Sequence, residues 1–177
     1  MKIACLAWGS LLWEPKNLPL AFDWAPDGPV MPIEFSRVGD KGELATAICM
    51  NAPPVQVYWS LLDTNTTQHA ISSLREREKI PGSREDGVGK FLLKSMPTGV
   101  LAHWAVEKKL DAVIWTALPP RFAGLEGRIP CAEDVLEYLS LLEGEKLQHA
   151  QEYIKKVPMT INTPYRKAIR EQLGWDC

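Results

Sequence analysis

The chain has 177 residues with 20 Lys and Arg against 22 Asp and Glu, a formal charge of −2, and is 46% apolar and 24% charged. That length and mix point to one globular domain, residues 1–177, able to bury a core without disulfides, metal or a partner chain. Disorder, collagen and coiled coil are excluded; so is a general phosphate-backbone binder, which needs a basic stripe, and no stretch nears the ~20 apolar residues of a membrane span.

Lys2 and the apolar run from Ile3 to Trp13 have the outline of a signal peptide, but the run stops at Glu14-Pro15 with no small-residue cleavage site. Residues 3–8 therefore read as a buried first strand and the chain as cytoplasmic, with Gly9-Ser10 breaking the strand. Val30–Val38 alternates Ile33 and Phe35 with Glu34 and Ser36, Asp40-Lys41-Gly42 turns, and Glu43–Met50 resumes, which predicts a hairpin. Asn51-Ala-Pro-Pro54 punctuates before Val55–Leu62, a strong fourth strand. A helix is expected to open between Asp63 and Thr67, where side-chain oxygens can cap orphan amides, and to run to about Lys79. Residues 81–99 carry Gly and Pro and predict an active-site-covering loop or an irregular connection.

The second half reads as mostly helical. Val100–Lys109 places Leu101, Trp104 and Ala105 on one face, and Asp111–Ala117 is a short buried strand closed by Pro119-Pro120. Glu133–Leu142 has Val135, Leu136, Leu139 and Leu142 at helical spacing, with Gly144 as a C-cap. Leu147–Val157 repeats the pattern. Thr163-Pro164, an N-cap followed by Pro at the first helical position, opens a last helix that ends at Gly174. The fold class is α+β, and no feature names an oligomeric state.

Cys5, Cys49, Cys131 and Cys177 are scattered, with no C-x-x-C pair and no His at a ligand offset, so free thiols and no metal site are expected. Cys5, inside the first strand, reads as packing rather than a nucleophile. His69, His103 and His149 fall on separate helices without a matching acid or thiol. Nucleophile-elbow, P-loop, dinucleotide and zinc-protease signatures are missing from the sequence.

Two places remain where chemistry can sit. Trp8-Gly9-Ser10-Leu11-Leu12-Trp13 follows the first strand; its Gly permits close approach to the backbone, and successive amides in such a turn can cradle an anion. Local chemistry alone fits an ordinary strand-to-loop turn better. Glu78 shares a helical face with Ile71 and Leu74, at the end of an apolar stripe, whereas Glu76 points elsewhere. Desolvation there would raise its pKa and make it a useful general base, whereas an ion pair with a neighbouring Arg or Lys in a solvated last turn would make it inert. Of the seven Trp, Trp8 and Trp13 bracket the turn; Trp59, Trp104 and Trp115 read as core.

Three segments resemble the γ-glutamylcyclotransferase-like superfamily. Leu6-Ala7-Trp8-Gly9-Ser10-Leu11-Leu12-Trp13 looks like its Y-G-S-N/L turn, nearest to the F-G-Y-G-S-L-I-W form of the ChaC-type branch. Leu74-x-x-Arg77-Glu78 is similar to the L-x-x-R-E helix segment that holds the catalytic Glu. Thr163-Pro164-Tyr165-Arg166-Lys167 is similar to an S-P-x-Y-K stretch with a substrate-contacting Tyr. The sequence departs from the pattern at Trp8 (Tyr in the family), Arg75 (commonly Asp) and Lys79 (commonly Gly), and residues 81–177 are a divergent, helix-rich elaboration. The resemblance implies a small mixed β-barrel or sheet with flanking helices and a helical C-terminal elaboration. It also implies release of 5-oxoproline from a γ-glutamyl amine or peptide, glutathione among them. Glu78 would be the acid/base, Trp8, Gly9, Ser10, Leu11 and Tyr165 would contact substrate, and no metal or organic cofactor would be needed. The implied partner is a small γ-glutamyl compound, with no nucleic acid and no membrane. The alternative is a non-catalytic binding or interaction module that keeps the same pocket.

Overall fold

A computed structural model of the chain describes residues 1–94 and 98–176. In chain order its elements are strand β1 (Ile3–Ala7), a single 3-10 turn (Ser10–Leu12), β2 (Val30–Val38), β3 (Leu44–Ile48), β4 (Pro54–Gln56), β5 (Tyr58–Leu61), helix α1 (Thr67–Arg77), β6 (Val88–Leu92), α2 (Val100–Glu107), β7 (Ala112–Thr116), β8 (Arg121–Phe122), β9 (Leu125–Glu126), α3 (Ala132–Ser140), α4 (Gly144–Lys156) and α5 (Pro164–Leu173). They form two mixed sheets within two compact units. The first unit holds Met1–Ala7, Leu11–Met31 and Gln56–Leu118; the second holds Trp8–Ser10, Pro32–Val55 and the chain from Pro119 onward.

In the first unit every β1 side chain is buried, the pattern of a central strand covered on both faces. β1 pairs antiparallel with β5 and parallel with β7, and β6 closes the order β5-β1-β7-β6 on the far side of β7. Ile3, Cys5 and Ala7 share a core with Ile114 of β7, Ala70 and Leu74 of α1, Leu11 of the 3-10 turn and Leu18 beyond it. Part of the Trp content has a separate place. Trp59 meets Phe22 and Trp104 edge-on at 5.2 and 5.3 Å, the arrangement ring quadrupoles favour. Asp27 accepts from the Trp59 indole at 2.8 Å, its carbonyl accepts from that of Trp104, and Lys108 pairs with its carboxylate.

The predicted fourth strand, 55–62, is two strands. Val57 gives its N–H to Pro29 and takes that of Gly28 on its carbonyl, so the run leaves its pairing with β2 as β4 and joins β1 as β5. An apolar run carries no mark of a change of partner. Residues 81–99, expected to be irregular, contain β6; 95–97 of that stretch lie outside the described residues. Gly89 read as punctuation, yet it makes room on the sheet for the ring of Trp115: a Cβ there would lie 2.2 Å from the indole. Trp115 is accordingly half-buried rather than core.

Helix α1 begins where its caps place it, with the Thr66 hydroxyl accepting from the His69 N–H. It ends in a Schellman motif: Ile80 N–H reaches the Arg75 carbonyl and Lys79 N–H that of Glu76, with Lys79 at φ +54°. A left-handed Lys is strained where Gly would not be, so Lys79→Gly is expected to raise stability by about 0.5–1 kcal/mol, after its own entropy cost. Urea melts of the two chains measure this, and a destabilised variant contradicts it. Arg75 holds the segment beyond the helix by donating to the carbonyls of Pro81, Arg84 and Asp86.

In the second unit the predicted hairpin is present as β2 and β3, in a sheet ordered β3-β2-β8-β9 with β4 also on β2. A Phe122–Leu125 hairpin went unforeseen because Ala123 (φ +51°) precedes Gly124 (φ +75°), where Asn or Asp would have announced the turn. Gly144 does not cap α3, whose C-cap is Leu141; at φ +59° it opens α4 three residues before the predicted start. Helix α5 starts at the Thr163-Pro164 cap and ends at Gly174 in the left-handed region, as expected.

Despite the alternation of apolar and polar residues in β2, Glu34 and Ser36 are as buried as Ile33 and Phe35. Glu34 spans to the N-terminus of α5, accepting from the Thr163 hydroxyl, the Tyr165 N–H at 3.3 Å and its own neighbour's N–H. Burial still pushes its carboxyl above the ordinary 4.5, against those hydrogen bonds. A carboxyl raised in the folded state favours folding most when protonated, and that contribution is lost as pH rises through the raised value. Wild type should therefore lose stability relative to Glu34→Gln as pH climbs from about 4.5 toward neutrality. Chemical denaturation of both proteins across that range reads the difference, and one that grows in favour of wild type with pH contradicts the sign.

Candidate functional site

Glu78 is the C-cap of α1, one residue beyond the helix and one turn after the fully buried Leu74. Its carboxylate is held at both oxygens. The Thr116 hydroxyl, at the end of β7, donates to Oε1 at 2.8 Å, and Arg77 Nη1 lies 3.2 Å from Oε2. The Arg77 guanidinium is fixed in turn by the Glu14 carbonyl, which takes its Nε and Nη2 at 3.0 and 2.7 Å. The ion pair that would make Glu78 inert does form, but not in a solvated turn: the two side chains are only 15% and 8% exposed. Glu76 is exposed, as its place on the helix required.

Cys5, on β1, feels this pair. Burial pushes its thiol far above the ordinary value, the Glu78 charge adds to the rise and Arg77 opposes it. A thiol so protonated, with its proton toward the Leu6 carbonyl, is packing and no nucleophile. Among the described residues Cys5, Cys49 and Cys131 are free thiols; Cys177 lies outside them. Cys131 is the N-cap of α3 in a capping box with Asp134. His69 opens α1 against Thr64, His103 is exposed on α2, and His149 on α4 faces Glu43. No group of three or more His, Cys, Asp or Glu among the described residues is placed to hold a metal ion. None of the described helices is long and apolar enough to cross a membrane.

The turn residues divide between the units. Leu11 lies in the first, in the same core as Ala70 and Leu74 of α1, and its carbonyl takes the Trp24 indole N–H at 3.1 Å. Trp8, Gly9 and Ser10 lie in the second. There the Thr46 hydroxyl donates to the Trp8 carbonyl at 3.2 Å, the Tyr153 hydroxyl sits 3.1 Å from it, and the Thr46 N–H donates to Tyr153 at 3.2 Å. Gly9 is needed for proximity: a Cβ would stand 2.5 Å from Thr46 Oγ1 and 2.6 Å from the Tyr153 oxygen. Trp8 is buried. Tyr165, on α5, gives its hydroxyl proton to the Pro130 carbonyl at 2.7 Å, leaving a lone pair and a half-buried ring for any ligand.

Four residues that shape these places went unmarked in the sequence: Arg77, Thr116, Thr46 and Tyr153. Arg77 stood beside Glu78 in the quoted segment, a signal that was available. Thr46 and Thr116 are single hydroxyls in apolar strands, and Tyr153 sits inside an amphipathic helix; nothing local distinguishes them.

No family model matches the chain, and no curated protein matches it. A solved structure does share its fold: a γ-glutamyl cyclotransferase specific to glutathione, from yeast, superposes with a TM-score of 0.51 over 98% of both chains at 12% identity. The α+β fold with its helical C-terminal part is thus the fold of a γ-glutamyl cyclotransferase.

Proposed function

We propose that this protein is a γ-glutamyl cyclotransferase-type enzyme of the cytoplasm, acting on a small γ-glutamyl amine or peptide. Glu78 carries the reading: a carboxylate withdrawn from bulk water, at the end of the helix that follows the fourth strand run, and oriented by two donors. The shared fold with a glutathione-acting cyclotransferase supports the reaction class.

In a γ-glutamyl compound the α-amine can close onto its own δ-carbonyl carbon. One C–N bond forms, the amide C–N bond breaks, and 5-oxoproline and a free amine result with no water consumed. Holding that near-attack geometry contributes roughly 7–11 kcal/mol. Glu78 takes the proton that the α-amine sheds as it attacks and returns it to the departing nitrogen. Substrate binding is assigned to Trp8 and the backbone amides of Gly9, Ser10 and Leu11, which would hold the carboxylate or the developing oxyanion, and to Tyr165 as an acceptor. No metal or organic cofactor enters these steps.

The non-catalytic alternative is favoured by one observation, that both Glu78 oxygens already have donors inside the protein. Incubation with glutathione, γ-glutamyl dipeptides and γ-glutamylamines, with 5-oxoproline read by mass spectrometry, decides between the two. Product from any of them supports the enzyme. Thermal stabilisation by one of them with no product from all supports the binding module.

A further inference from the structure

We infer that Thr116 is a positioning residue for the acid/base, holding the Glu78 carboxylate in one orientation while it takes and returns a proton; this rests on the cyclotransferase reading. The two partners of Glu78 differ in what they can do. Arg77 can only donate, and it meets Oε2 as an ion pair. The Thr116 hydroxyl donates to Oε1 at 2.8 Å, but it can also rotate and accept, so this contact survives protonation of the carboxyl. An acid/base that changes charge twice per turnover needs a partner of the second kind. The sequence does not mark it, because Thr116 is 38 residues from Glu78.

The backbone under Thr116 is pinned. It pairs with Val88 of β6, and the next N–H, that of Ala117, reaches the Gly87 carbonyl at 2.8 Å. Two residues earlier Ile114 pairs with Cys5 of β1 inside the core. The hydroxyl is thus delivered by a strand held on both sides, and Glu78 is the C-cap of its helix, its N–H reaching the Leu74 carbonyl at 2.9 Å. Thr is the one polar residue of β7 and is half-exposed, so an isosteric Val can replace it at little cost in packing.

Thr116→Val and Thr116→Ser separate positioning from packing, since Val keeps the shape and loses the hydroxyl and Ser does the reverse. Steady-state kinetics would use the γ-glutamyl compound that wild type turns over, with Glu78→Gln and melting curves alongside. Thr116→Val should lower kcat about 10- to 100-fold, the range for a lost hydrogen bond to a charged group, with KM within about twofold. Thr116→Ser should stay within about threefold of wild type in kcat, even if it melts lower. Wild-type kcat in Thr116→Val, or a Ser variant as slow as the Val variant, overturns the inference while leaving Glu78 in place. Failure of the wild type to release 5-oxoproline from any compound overturns the cyclotransferase reading, and the role of Thr116 with it.

Discussion

Glu78→Gln is expected to abolish 5-oxoproline release, lowering turnover by about 10²–10⁴-fold, the usual worth of a positioned acid/base, while the protein still folds and binds substrate. Gln is isosteric and its carbonyl can still accept from Thr116. It cannot take the proton that the attacking amine sheds, and with its carbonyl turned to Thr116 its NH₂ faces Arg77 Nη1, which now lies 3.2 Å from Oε2, donor against donor. That lost ion pair is mostly shielded from water, so a drop of several degrees in melting temperature is expected, far less than unfolding. The comparison is 5-oxoproline formation by the two proteins, with calorimetric or thermal-shift titration to establish binding. Unchanged turnover removes Glu78 from the mechanism. Product that survives Glu78→Gln but vanishes in Cys5→Ser or Cys131→Ser would move the chemistry to a thiol, against the burial that keeps Cys5 protonated.

Arg166→Ala should destabilise the protein by about 3–5 kcal/mol, a large share of the ~5–15 kcal/mol that holds a typical domain folded. Arg166 lies in the segment whose resemblance drew attention to Tyr165, yet it is the arginine that organises the second unit. Its guanidinium is fully buried. Nε and Nη2 meet Asp176 at 2.6 and 3.1 Å, Nη1 serves the carbonyls of Pro158 and Ile161, and Nη2 serves those of Ile154 and Val157 at the end of α4. Truncation leaves a carboxylate only 5% exposed without its main counter-ion, and orphans helix-terminal carbonyls that water does not reach. Arg170, 3.4 Å from Asp176, can relieve part of the first loss but none of the second. Arg166→Lys keeps the charge and lacks the planar fork, so it should lie between the two. Urea denaturation gives the order directly, and a loss below about 1 kcal/mol for Ala would show that the network adds little.

What could be read along the chain was what local chemistry controls. Five apolar residues between Lys2 and Trp8 made β1; Thr66 and the Thr163-Pro164 pair capped α1 and α5; Gly174 ended α5. Ile71, Leu74 and Glu78 on one helical face placed the carboxylate at the end of a buried stripe, and the likeness of three short segments named the fold that the yeast cyclotransferase shares. A residue whose role depends on a distant partner carries no local sign of it. Gly89 is a packing position because Trp115 lies across from it, and Val57 is a switch because Gly28 and Pro29 bind its backbone.

The sequence by itself determined the α+β class, most of the elements and the caps of α1 and α5, since each follows from period, propensity or motif within about a dozen residues. Only the tertiary structure decided that Glu34 is buried against α5, that Arg166 gathers the end of α4 and Asp176, and that Glu78 is held between Arg77 and Thr116. Hydrogen-bond partners set 129 residues apart, as Glu34 and Thr163 are, leave no local pattern. Burial turns such polar pairs from indifferent surface groups into determinants of charge and orientation, because a group removed from water must find its partner in the protein.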